Sequence, residues 1–298
     1  MYYSPIVLFA YNRLGCIKKT IKALKKNHLS KNSVIYIFSD QAKNESDSKN
    51  VDLVRKFIST LSGFKKINII YRKKNLGLAT NITAGINYVL KFHKTAIILE
   101  DDIVVSKFFL NYMNKNLQIY EKQKNVISIH GYNYPIDSKY LDKFFFIKGA
   151  DCWGWATWRN KWRKYFINNS KYLANIIKKK KLIKDFNFGN RYNFFKMLTD
   201  NISSNKSWAI NWYASAFIKN MLTLYPKKTL VKNIGLVGTN SNQIRLNFNF
   251  NSSLDNKFHT FRKIKISEDM HAKIKMGEFL RKMKLNEYKI KISSFFKF

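Results

Sequence analysis

The sequence predicts an α/β protein: a mostly parallel sheet with helices on both faces, plus a C-terminal helical extension. Two observations predict it. Between residues 6 and 99, four short apolar runs alternate with three amphipathic segments. The first run is apolar throughout, which is the pattern of a parallel strand covered on both faces. The chain has 298 residues, 46% hydrophobic and 16% aromatic, so it has the material for a large core and is not a disordered chain.

IVLFA, Ile6–Ala10, is the first strand. Residues 16–27 follow as a helix, with Ile17, Ile21 and Leu24 on one face and lysines on the other. Val34–Ser39 is the second strand, and residues 46–61 form a helix through Val51, Val54, Phe57, Ile58 and Leu61. INIIY at 67–71 is the third strand. Leu78–Phe92 is a helix through Ile82, Ile86, Val89 and Leu90, and TAIIL at 95–99 is the fourth strand. On such a sheet, ligands bind beyond the C-terminal ends of the strands.

The net charge is +37, from 55 Lys and Arg against 18 Asp and Glu. Only nine of the basic residues are Arg, and Asn and Ile are plentiful, a drift expected of an AT-rich genome. Nucleic-acid readers lean on the bidentate Arg fork. The charge therefore reads as a lysine coat, with no nucleic-acid partner. Cys16 and Cys152 cannot form a disulfide framework. No run approaches a membrane span and no signal peptide is evident, so a cytoplasmic protein is expected.

A nucleotide is the default ligand of this architecture. The first strand runs into Tyr11-Asn12-Arg13-Leu14-Gly15, without a dinucleotide fingerprint or a P-loop. The strongest chemical signal is Glu100-Asp101-Asp102, directly after the fourth strand. Adjacent carboxylates repel, and a hard divalent cation relieves that repulsion, so Mg²⁺ or Mn²⁺ is the expected partner. The plainer reading is a helix N-terminus, because 103–106 leads towards a helix expected at 107–120.

Eight segments in order carry a family resemblance: PIVLFAYNR (5–13), IFSD (37–40), KNLGLATNITAGI (74–86), ILEDDIVVSKFFLNYM (98–113), SIHGYNYP (128–135), WGWATW (153–158), SWAINW (207–212) and LTLYPKKTLVKNIG (222–235). The chain resembles the bacterial GT-A glycosyltransferases, family 2-like, of lipopolysaccharide and capsule synthesis. More distantly it is similar to the animal N-acetylglucosaminyltransferase of complex N-glycans. The resemblance implies a metal-dependent, inverting hexosyl- or N-acetylhexosaminyltransferase. Its donor would be a nucleotide-diphosphosugar, expected to be a UDP-sugar. Its acceptor would be a glycan or lipid-linked oligosaccharide of the lipopolysaccharide, capsule or glycoprotein type. Residues 1–125 would form the donor half of one GT-A domain, 126–240 its acceptor half, and 241–298 a basic extension.

The resemblance also assigns roles. Arg13 would reach the diphosphate. Asp40 would accept a hydrogen bond from the base or ribose, or simply cap a turn. Asn75, Gly77 and Asn81 would pack against the nucleotide, or serve as ordinary loop-to-helix residues. Asp102 would touch the metal. Asp101 and Glu100 would touch the sugar, the ribose or a metal-bound water.

The acceptor half departs from the pattern. An inverting transferase needs a base, expected one or two residues before Trp208, where Lys206 and Ser207 stand. An acid and a His expected near the end of the domain are replaced by Val237 and Asn242. Asp137, Asp142, Asp151, Asp185 and Asp200 remain on this side, with Asp151 and Asp200 as candidate bases. A catalytically inactive or altered glycan- or nucleotide-sugar-binding homologue is the alternative. The tryptophans of 153–158, with Trp208 and Trp212 on a helix expected at 208–220, suit sugar stacking or core packing.

In the extension, a helix is expected at 267–285, capped by Ser267, with Met270, Ile274, Leu280 and Met283 apolar. The stretch 282–298 mixes lysines with Ile290, Ile292 and a terminal Phe-Phe-Lys-Phe. It reads either as a frayed or docked tail, or as a peripheral contact with the anionic cytoplasmic face of the inner membrane.

Overall fold

The computed structural model describes residues 3–235, 250 and 252–295. The expected class is observed. In chain order, β1 (Ile6–Ala10), α1 (Leu14–Lys25), β2 (Val34–Ser39), α2 (Glu45–Ser59), β3 (Lys66–Tyr71), α3 (Leu78–Phe92) and β4 (Thr95–Glu100) build the first half. Next come β5 (Ile103–Val105), α4 (Phe109–Ile119), β6 (Val126–His130), β7 (Phe144–Lys148) and β8 (Trp155–Trp158). Helices α5 (Arg159–Tyr165), α6 (Ser170–Lys179), α7 (Ile183–Phe186), α8 (Phe194–Ser204) and α9 (Trp208–Ile218) form a helical block. Strands β9 (Leu222–Pro226) and β10 (Val231–Asn233) and helix α10 (Met270–Phe295) complete the described chain.

The main sheet has eight strands in the order β3-β2-β1-β4-β8-β6-β9-β7. β3, β2, β1 and β4 are mutually parallel, while β8 runs antiparallel to both β4 and β6. The alternation of side chains splits the core in two. Ile6, Leu8, Ile35, Ile37, Ile97 and Leu99 face the helices α1, α2 and α4. Val7, Phe9, Phe38, Ala96 and Ile98 face α3 and the tryptophan cluster. Each large apolar side chain buried this way contributes roughly 1.5–3 kcal/mol.

The chain moves outward from β1 to β2 to β3, then α3 carries it back across the sheet to β4, on the other side of β1. The strand order therefore reverses between β1 and β4, and a crevice opens beyond their carboxyl ends. Tyr11, Asn12 and Arg13 leave one of these strands, and the acidic triplet leaves the other.

Local expectations are corrected at two places, after the acidic triplet and in the C-terminal helix. The segment after the triplet is a strand, and the helix begins only at Phe109. The β-branched run Ile-Val-Val pairs antiparallel with Val231–Asn233 instead of starting a helix. The triplet is thus not a helix N-terminus. The WATW segment forms β8, in the middle of the sheet, where burial on both faces hides any alternation. Ser267 is not the cap of α10: Asp269 is, its Oδ1 accepting the Ala272 N–H at 2.9 Å. α10 also runs on to Phe295 and docks through Ala272, Met276, Phe279, Leu280 and Met283. Met270 and Ile274, expected to be apolar contacts, are exposed. No helix among the described residues is long and apolar enough to cross a membrane.

Candidate functional site

A cavity of about 340 Å³ opens at the crevice. Arg13, Asp40, Asn75, Gly77, Asn81, Glu100 and Asp101 all line it. These are the seven donor-side residues singled out from the sequence, brought together from four strand ends. Phe9, Tyr11, Lys43 and Leu78 complete the lining with Ala10.

The acids are held from several sides. Arg13 Nη1 donates to Asp102 Oδ2 at 2.8 Å, and Nη2 pairs with Asp101 Oδ1. The Tyr11 N–H reaches Asp101 Oδ2 at 3.3 Å, and Thr20 Oγ1 donates to the Asp101 carbonyl at 2.8 Å. Burial, then the neighbouring Asp102 and Asp101 charges, push the Glu100 carboxyl up to about 8, against the pull of Arg13. Burial raises Asp101 to about 6, although Arg13 opposes it. Burial works against the Arg13 charge as well, but Asp101 and Asp102 outweigh it and raise the guanidinium further. Three carboxylates thus share one cation.

That surplus of negative charge is what a divalent cation would relieve. Among the described residues no cage of three or more His, Cys, Asp or Glu side chains forms. A nucleotide-bound Mg²⁺ needs only one or two protein carboxylates, its remaining ligands being phosphate oxygens and water. Asp102, bonded through Oδ2 to Arg13, fits that role. The donor set is all oxygen, as hard cations require.

Asp40 has a structural task beside any ligand. Its carboxylate accepts the N–H groups of Gln41 at 3.0 Å, Leu76 at 2.9 Å and Gly77 at 3.0 Å. It ties the end of β2 to the loop before α3. Asn75 Nδ2 donates to the Gln41 carbonyl at 2.6 Å, closing the same loop. Asn81 Oδ1 accepts from Arg72 Nε at 2.9 Å, and the Arg72 guanidinium lies 4.9 Å from the Phe38 ring centroid. Tyr11 reaches Asp47 Oδ2 at 2.7 Å, and burial followed by that bond raises its phenol to about 12. The sequence reading missed Tyr11 and Lys43, although Tyr11 stands at the same strand end as Arg13.

Gly235 closes the far side. β10 pairs with β5, and the chain leaving it places Gly235 against the metal candidate. A Cβ at 235 would overlap Asp102 Oδ2 and lie 2.7 Å from Arg13 Nη1. The Ile234 N–H donates to the Asp102 carbonyl at 2.9 Å.

The two candidate bases part company. Asp151 lines a second cavity of about 150 Å³ with Tyr134, Lys148, Cys152, Ser207 and Tyr225. Tyr134 donates to its Oδ2 at 3.0 Å and the Cys152 N–H to its Oδ1 at 2.8 Å. Burial, then the charges of Asp151, Glu100 and Asp102, push the Cys152 thiol up, so one side chain feels both the triplet and Asp151. Buried His130 also feels Asp151, whose pull is outweighed by burial, and its ring is held below its ordinary value. Asp200, in contrast, is exposed on α8 and pairs with Lys196 at 2.9 Å, away from both cavities. Ser207 Oγ caps α9, accepting the Ile210 N–H at 3.3 Å. Val237 and Asn242 lie outside the described residues.

The tryptophans are mostly core. Trp155, Trp158, Trp162, Trp208 and Trp212 are each at most 3% exposed, which leaves only Trp153 a face for a ligand. Trp155 packs 5.6 Å from Trp208 and 5.5 Å from Trp212, between ring centroids.

A parallel half-sheet with its acids at the point of strand reversal, continued by a mixed half, defines the GT-A class of transferase fold. The chain belongs to glycosyl transferase family 2, whose description, Glycosyl transferase family 2, matches residues 6–206.

No curated protein gives a significant match. Among solved structures, the mannosyltransferase PcManGT from Pyrobaculum calidifontis, in complex with GDP-Man and Mn²⁺, is similar at 13% identity and a TM-score of 0.40. The match covers 55% of this chain and 47% of that one. S. aureus TarS 1–349 is similar at 11% identity and a TM-score of 0.39, over 76% of this chain and 60% of that one. A UDP-glucose pyrophosphorylase complexed with UDP-glucose is similar at 11% identity and 0.38, over 75% and 90%. The chain thus spans about half the length of the mannosyltransferase and 60% of TarS 1–349.

Proposed function

We propose that this chain transfers a sugar from a nucleotide-diphosphosugar, a UDP-sugar, to a surface-glycan acceptor, with inversion at the anomeric carbon. The observation that carries the reading is the cavity at the strand reversal, lined by all seven donor-side residues and flanked by Asp102. Residues 1–125 are the donor half, 126–240 the acceptor half and 241–298 the extension. The acceptor is a glycan or a lipid-linked oligosaccharide, presented at the cytoplasmic face of the inner membrane.

Asp102, with Asp101 and Glu100 behind it, would hold Mn²⁺ or Mg²⁺. When bound, the metal supplies Lewis-acid stabilisation of the departing diphosphate. Arg13 adds a fixed positive charge beside it. Asp40 holds the loop that forms the nucleotide-side wall. Asp151, oriented by Tyr134 and the Cys152 N–H, takes the proton of the acceptor hydroxyl as its oxygen bonds to the anomeric carbon. The bond to the nucleotide diphosphate breaks on the opposite face.

The test is a panel of nucleotide sugars, with and without Mn²⁺, scored by thermal shift and by nucleotide release. A metal-dependent shift with nucleotide release, both lost in Asp102→Ala, is expected. Release unchanged in Asp102→Ala overturns the reading. Tight binding without release across all acceptors marks a binding homologue instead.

A further inference from the structure

Residues 184–191 and α10 enclose a third, strongly basic concavity of about 590 Å³. Lys184, Arg191, Arg281 and Lys284 line it, beside the exposed Leu285 and Tyr288. Among the described residues no carboxylate lines it, and none of the four cations makes an ion pair. Of the neighbouring acids, Asp185 is engaged by Lys148 and Lys273, and Glu278 by Lys275.

Lysines coat this whole protein, so charge alone selects nothing. Two features set the cleft apart. Arginine is scarce, yet two of the nine arginines meet here. The fold also makes room for one of them. Gly277 lies inside α10, where glycine is unfavourable. A Cβ there would come 2.7 Å from Arg191 Cδ and 3.4 Å from its Nε and Nη1. Arg191 is thus laid across the helix at the one residue without a side chain, and Nη1 also reaches the Phe188 carbonyl at 3.4 Å. Two planar forks and two ammonium groups around one concavity match the oxygens of a phosphate.

We propose that this cleft is a binding site for a phosphate ester, separate from the donor cavity. The reading does not depend on sugar transfer. It does explain why the cleft sits where it does: Phe188 and Met276, next to Gly189 and Gly277, line the cavity of Asp151. One wall therefore serves both. Two sources present the chemistry: the headgroup of an anionic phospholipid, and a phosphate ester free in solution or carried by an acceptor.

The experiment measures binding of the full chain to vesicles of phosphatidylglycerol in phosphatidylcholine, to phosphatidylcholine alone, and to soluble glycerol phosphate. All three are run at about 0.15 M salt with EDTA present, so that exposed charge is screened and any metal-dependent site is silent. The variant Arg191→Ala/Arg281→Ala should lose at least tenfold in affinity. The control Lys178→Ala/Lys179→Ala removes the same charge from exposed positions on α6 and should lose less than twofold. Gly277→Ala, which removes no charge, should weaken binding severalfold by displacing Arg191, and it carries the test if the double variant fails to fold. A loss seen only with vesicles assigns the lipid headgroup, and a loss seen also with glycerol phosphate assigns a phosphate ester in general. Equal losses in the control, or none in Gly277→Ala and the double variant, overturn the proposal.

Discussion

Asp102 and Gly235 meet so closely that no side chain fits between them. A Cβ on residue 235 would overlap Asp102 Oδ2 and crowd Arg13 Nη1 at 2.7 Å. Gly235→Ala should therefore displace the Asp102–Arg13 pair while leaving the sheet intact. Nucleotide release is expected to fall at least tenfold, with Mn²⁺ affinity reduced and the far-UV circular dichroism unchanged. Wild-type release from this variant would show that the pair has no part in turnover.

Among the described residues Arg13 is the cation paired with the acidic triplet, in which burial and mutual repulsion raise Glu100 and Asp101. Arg13→Ala should lower the melting temperature in metal-free buffer. Added Mn²⁺ should restore more of it in the variant than in wild type, because the metal then replaces the missing charge. Differential scanning fluorimetry with and without Mn²⁺ reads the difference directly.

Asp151 and Asp200 separate cleanly in space, and their variants should separate in rate. Loss of a general base costs roughly 10²–10⁴-fold. Asp151→Asn should fall in that range in kcat with little change in donor binding. Asp200→Asn should stay within twofold. A wild-type rate for Asp151→Asn would remove it from the chemistry.

The C-terminal helix is clamped by charge. Lys273 joins Asp185 at 2.7 Å and Glu268 at 3.1 Å, and Lys148 joins Asp185 from β7. Burial alone would raise the Asp185 carboxyl, but hydrogen bonds from Lys148 and Lys273 outweigh it and hold the group below its ordinary value. A depressed carboxylate stabilises above its unfolded pKa of about 3.9, and that stability is lost as pH falls through the folded value. Hydrogen exchange across 270–285, taken relative to the intrinsic amide rate at each pH, should speed up below about pH 4. In Asp185→Asn it should already be faster at pH 7.

The tryptophan cluster is structural. Trp155 is fully buried among Trp162, Trp208 and Trp212. Trp155→Ala should cost about 3–5 kcal/mol, measured by denaturant unfolding. Truncating half-buried Trp153 should cost clearly less.

The first half of the fold was legible because its signals are local. Ile6–Ala10, Val34–Ser39 and Leu78–Phe92 have the bounds that periodicity predicts. The residues that line the crevice were singled out through the family resemblance, and only the acidic triplet stood out from its own place directly after the fourth strand. The second half was harder. β8, Trp-Ala-Thr-Trp, is buried along its whole length and shows no alternation, and β7 and β9 join the sheet only through long-range pairing. α10 buries one arc and exposes Met270, Ile274, Leu285 and Tyr288 on another, so its periodicity blurs. The segment after the triplet was not legible locally, because Ile103–Val105 becomes a strand only through its pairing with β10.

By itself, then, the sequence determined the alternation of strands and helices and the place of the acidic triplet directly after the fourth strand. Burial and periodicity are written into neighbouring residues, and those features need nothing else. The pairing of Arg13 with Asp101 and Asp102 across the strand reversal, in contrast, is tertiary. Only the tertiary structure decided that Asp151 lies in a cavity while Asp200 faces solvent. It also decided that Gly235 abuts Asp102 and that Gly277 seats Arg191. Each of these depends on the register and crossing of elements far apart in the chain, and a single residue carries no local pattern from which that can be read.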